Sequence, residues 1–144
     1  MNHEEEKSHF YTTRLQKGGA LIDEMRRLLL EWDASPGCAD RLLASNVLAS
    51  PSRRRSHDVL IRTFLPRFIY SKPPDLWRSV SILEKAGWSR AKLLPIHYYA
   101  AASAEPLIGD FVAEELTQRA RTGRVDVAVA DVLRFFEAAP QGRF

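Results

Sequence analysis

The chain has 144 residues, 45% of them hydrophobic and 27% charged, the proportions of a soluble globular protein long enough to bury a core of its own. No run approaches the roughly 18 apolar residues of a membrane span, the opening MNHEEEKSH lacks the basic-then-apolar layout of a secretory signal, and one cysteine, Cys38, excludes an internal disulfide and fits a reducing cytoplasm. The net charge of +3 conceals an asymmetry: residues 51–100 hold ten Lys/Arg against three Asp/Glu, while both flanking segments are slightly acidic, the mark of a localised basic surface and a polyanionic partner.

The predicted elements follow as helix after helix. Residues 1–10 read as a flexible acidic tail, and residues 11–144 as one helical domain. Gly18-Gly19 precede a helix from Gly19 to Asp33, whose Leu21, Ile22, Met25, Leu28, Leu29 and Trp32 share one face. Asp23 and Glu24 suit the dipole of its first turn. Ser35-Pro36-Gly37 breaks the chain before a shorter helix, Cys38 to Ala49, with Leu42, Leu43, Val47 and Leu48 inward. Ser50 or Ser52 caps a third helix that carries His57, Leu60, Ile61, Phe64 and Phe68 on one face, with Pro66 set to kink or end it.

Lys72-Pro73-Pro74 forms a connector. Asp75 is expected to cap a fourth helix that Gly87 terminates, and Ser89 a fifth running through Tyr98 and Ala101. Glu105-Pro106 opens a sixth, which ends at Thr122-Gly123, and Asp126 to Ala138 forms the last. No strand pairs or fixed-period repeats are visible. The expectation is an all-α bundle of about six or seven helices with short loops.

Particular wording within these helices resembles the BrxA family, small proteins of bacterial BREX phage-defence systems. The resemblance starts with Thr12-Thr13-Arg14-Leu15, Lys17-Gly18-Gly19-Ala20-Leu21-Ile22 and Glu24. It continues in Leu60-Ile61-Arg62-Thr63-Phe64 with Pro66-Arg67-Phe68, in Ala100 to Leu107 with Asp110-Phe111-Val112, and in Asp126-Val127 through Phe135-Phe136. It implies a NusB-like helical fold, double-stranded DNA as the favoured ligand with RNA as an alternative, and other BREX components as partners. It also implies a longer chain, so this sequence is expected to lack the family's C-terminal part.

Three basic clusters are candidates for phosphate contact. Arg53, Arg54 and Arg55 place positive charge at the positive end of a helix dipole, a conflict that a bound phosphate removes. Arg62, seven residues beyond Arg55, points the same way, and Arg67 and Lys72 extend the charge towards the connector. The bland alternative is a solvated face with Asp58 paired to Arg54 or Arg62. Arg14 and Lys17 flank the glycine pair, whose simpler role is to turn the chain. Arg90 and Lys92 follow Trp88, a ring that could stack on a base but more often packs beneath its own loop.

Trp32, Trp77, His97, Tyr98 and Tyr99 read as packed or partly buried residues, and Cys38 as an incidental thiol. No nucleophile, base or metal-ligand spacing is recognisable, so neither catalysis nor a cofactor is expected. These features predict nucleic-acid binding through phosphate contacts, with little base reading. The alternative is a protein–protein adaptor, or a homo-oligomer, docking through its helical faces.

Overall fold

The computed structural model describes residues 21–124 and 126–138, with no strand among them. The protein is all-α, and its chain divides into two compact units, the division falling between Ala104 and Glu105. Arg14, Lys17 and the Gly18-Gly19 pair lie outside the described residues.

In residues 21–104 the elements are α1 (Ile22–Glu31), α2 (Cys38–Ala44), α3 (Arg53–Asp58), α4 (Leu76–Lys85) and α5 (Arg90–Ala104). Helix α3 runs without a break into a π-helical segment, Val59–Ile69. The face predicted for α1 is buried: Ile22, Met25, Leu28, Leu29 and Trp32 all turn inward. Met25, Leu28, Leu29 and Trp32 meet Leu42, Leu60, Phe64, Phe68, Trp77, Val80 and Ala100 in one apolar core. Aromatic rings run through that core, Trp32 to Phe64 at 5.4 Å, Phe64 to Phe68 at 5.6 Å and Phe68 to His97 at 5.6 Å.

Pro66 does not end its helix. The segment around it pairs i to i+5, and the wider turn relieves the clash of the ring with the carbonyl four residues back. Helix α2 is shorter than its periodicity suggested. It stops at Ala44, and Asn46 at φ 49 turns the chain so that Leu48 still reaches the core.

Asp75 precedes α4 but does not cap it. It sits at φ 55 with no side-chain cap bond, and the Ser71 hydroxyl accepts the Leu76 N–H at 3.2 Å instead. At the other end Gly87, at φ +80, closes α4 as expected. Its N–H bonds the Glu84 carbonyl and that of Trp88 bonds Leu83, the paired bonds of a Schellman motif. The Ser89 hydroxyl then accepts the Lys92 N–H at the start of α5.

In the second unit, α6 (Pro106–Asp110), a π-helical turn (Phe111–Leu116) and α7 (Thr117–Arg121) form one continuous rod, followed by α8 (Val129–Ala138). Phe111 meets Phe135 edge-on at 5.3 Å. Arg119 reaches Asp131 at 2.8 Å and Glu115 at 3.5 Å, joining α7 to α8.

Candidate nucleic-acid interface

Helix α3 begins as its sequence suggested. Ser52 is the N-cap, and its hydroxyl accepts the Arg55 N–H at 3.3 Å. No acid occupies the first turn. Arg53, Arg54 and Arg55 are all exposed, and none of their guanidinium groups has a hydrogen-bond or ion-pair partner among the described residues. Arg53 also edges a cleft of about 630 Å³ between α2 and α3, together with Asp40, Asn46, Ser50 and His57. Arg62 stands out from the same rod but lies 3.6 Å from Asp58, the i+4 pair of the bland alternative. That pair is exposed on the arginine side and leaves most of the guanidinium free for another anion.

The remaining candidates do not join this cluster equally. Arg67, expected at the interface, is buried, only 3% exposed, and does not belong to it, because a phosphate contact needs an open guanidinium. The signal was in the sequence: Arg67 lies seven residues after Leu60 and three after Phe64, on their inward face. Lys72 is exposed beyond the far end of the π-helical segment, where its carbonyl accepts the Tyr99 hydroxyl at 3.0 Å. Arg90 pairs with Asp23 at 3.2 Å on the surface. The Lys92 ammonium lies 5.9 Å from the centroid of the Trp88 ring. Trp88 is 42% exposed rather than tucked beneath its loop, and Tyr98 and Tyr99 are exposed rather than packed.

One polar cluster escaped the sequence reading. Glu84 on α4 is buried, and both its oxygens accept from Arg26 Nε, at 3.0 and 3.1 Å. His97 Nε2 lies 3.4 Å from Glu84 Oε1. Burial pushes the His97 pKa below its ordinary value, Glu84 opposes that shift, and Arg26 and Arg67 add to it. The imidazole is held neutral in the core, and its Nδ1 has no hydrogen-bond partner among the described residues. The periodicity did hold a clue, since Glu84 falls seven after Trp77 and four after Val80 on the buried face of α4. Cys38 is buried as well, and burial pushes its thiol pKa up, so the helix start does not activate it.

Among the described residues no group of three or more His, Cys, Asp and Glu side chains is placed to hold a metal ion. No helix among them is long and apolar enough to cross a membrane. Fold and surface together define a small all-helical protein with an uncompensated run of arginines at one helix start. Residues 9–142 match the BrxA family, and the chain belongs to it. Membership makes it a component of a BREX defence system. No curated protein and no solved structure matches it.

Proposed function

We propose that this protein is a non-catalytic, nucleic-acid-binding BREX component that holds double-stranded DNA through phosphate contacts. The observation that carries the reading is the start of α3. Three adjacent arginines are exposed there, unpaired among the described residues, and set against the positive end of the helix dipole. A stability-driven sequence favours Asp or Glu at these positions, and phosphate supplies the missing negative charge. Arg62 extends the same surface, with Lys72, Arg90 and Lys92 as outlying contacts; Arg14 and Lys17 belong to the same proposal. No helix among the described residues carries the Asn, Gln and Arg pattern of base reading, which favours recognition by charge and shape. A NusB-like arrangement and a cytoplasmic setting go with this reading.

The test is binding to labelled duplex DNA, and separately to RNA, across a salt series. The expected result is affinity that falls steeply with salt. Arg53→Glu with Arg54→Glu is expected to weaken it about 100-fold or more and to flatten the salt slope by about two, with the helical circular dichroism unchanged. Absence of duplex binding at low salt by the folded protein overturns the reading. It would favour an adaptor role instead, for which Val129 (76% exposed) and Leu133 (54%), one turn apart on α8, provide an apolar contact face.

A further inference from the structure

The aromatic side chains of residues 21–104 fall into two populations. Trp32, Phe64, Phe68 and Trp77 are buried. Tyr70 (75% exposed), Trp88 (42%), Tyr98 (57%) and Tyr99 (53%) are not. A single exposed ring needs no explanation. Four, all on α5 or the segments beside it, amount to a surface.

The geometry arranges them. Lys92 and Tyr99 are seven residues apart on α5, which puts them on one face, about 10 Å apart along the axis. At the Lys92 end the ammonium lies over the Trp88 ring, 5.9 Å from its centroid. At the Tyr99 end the phenol donates to the Lys72 carbonyl, two residues from Tyr70. Tyr98 flanks the strip. The electrostatics favour an anion: residues 85–104 contain Lys85, Arg90 and Lys92 and no carboxylate side chain. Arg90 is taken up by Asp23, while Lys72, Lys85 and Lys92 are exposed with no ion-pair partner among the described residues.

We propose that this strip binds single-stranded DNA, with bases stacking on Trp88 and Tyr99 and phosphates on Lys92 and Lys72. Exposed rings alternating with cations are what an unpaired strand requires, because each base presents a face and each linkage a charge. A duplex hides its base faces and has no use for the rings. An apolar protein partner has no use for a row of exposed lysines. The inference rests on the nucleic-acid reading above and adds unpaired bases to its substrate class.

The test compares three probes by fluorescence anisotropy: an oligothymidylate strand, an abasic strand of equal length and charge, and a duplex. Trp88→Ala with Tyr99→Ala is expected to weaken oligothymidylate binding about tenfold or more and to leave duplex binding within about twofold. Trp88→Phe with Tyr99→Phe should restore most of the loss, and the abasic strand should bind the unaltered protein about tenfold more weakly than oligothymidylate. Equal binding of the abasic strand, or an alanine variant that binds oligothymidylate normally, overturns the proposal. Duplex binding with no oligothymidylate binding overturns the strip while leaving the duplex reading intact, and binding of neither overturns both. Should the alanine pair lose its helical signal, Lys92→Glu takes its place, and unchanged oligothymidylate affinity in that folded variant is the overturning result.

Discussion

Arg26 and the Arg53–Arg55 run show two opposite uses of the same side chain. Arg26 is aimed at a buried carboxylate, and its Nε donates to both oxygens of Glu84. Arg53, Arg54 and Arg55 face water at the start of α3 with no acid in the turn. The first arrangement serves the fold, because a buried Glu84 without its cation would be costly. The second works slightly against the fold, because cations oppose the helix dipole there. Helix α8 supplies a control within the same chain: Asp131 stands in its first turn, accepts the Ala128 N–H at 2.9 Å and pairs with Arg119 and Arg134. Backbone and arginine together hold the Asp131 carboxyl below the usual carboxylate range. Where this sequence uses charge to secure the start of α8, it uses an acid. The α3 start, like that of α5 with Arg90 and Lys92, carries cations and no acid in its first turn, and the phosphate proposed above would supply the charge it lacks.

The contrast is open to attack, beginning with its larger member. Glu84→Ala removes the shared partner of Arg26 and His97 and is expected to cost about 3 kcal/mol of stability, read by chemical denaturation. A loss within experimental error would mean that the cluster does not secure the fold. Ser52→Ala removes the cap of α3 and should cost about 1 kcal/mol, with amide exchange rising at Arg55. Arg53→Glu with Arg54→Glu should raise stability, by about 0.5 kcal/mol, while duplex affinity falls. Opposite signs in the two assays are what distinguish a ligand-binding helix start from a structural one, and a drop in both would erase the distinction.

The smallest effect concerns pH. The His97 pKa is lowered in the folded state from 6.5, so the unfolded chain takes up the proton first. The stability associated with neutral His97 is complete above 6.5 and is lost as pH falls through the folded value. His97→Gln should flatten that part of the stability profile, measured by denaturation at a series of pH values. An unchanged profile would place the titration elsewhere.

Much of the helix order was legible from the sequence because a helix is a local object. The inward face of α1, the break at Ser35-Pro36-Gly37, the glycine stop at Gly87 and the proline start at Pro106 each depend on residues within a few positions of one another. The arginines of α3 were legible for the same reason, since a helix start is identified by its cap and its first turn. Less legible was the ability of a charged residue to occupy an inward position. Arg67 and Glu84 both lie on apolar faces by spacing, but composition argued that charges belong outside.

The sequence by itself determined an all-helical chain of the BrxA family, with a basic centre and most of its helix boundaries, because spacing, caps and breakers act over a turn or two of backbone. Tertiary structure alone decided that Arg67 is enclosed, that Glu84 joins Arg26 to His97, that Ser71 rather than Asp75 caps α4, and that Trp88, Tyr98 and Tyr99 face water. Those outcomes depend on which element packs over a given side chain, and packing brings together residues dozens of positions apart that no local period records.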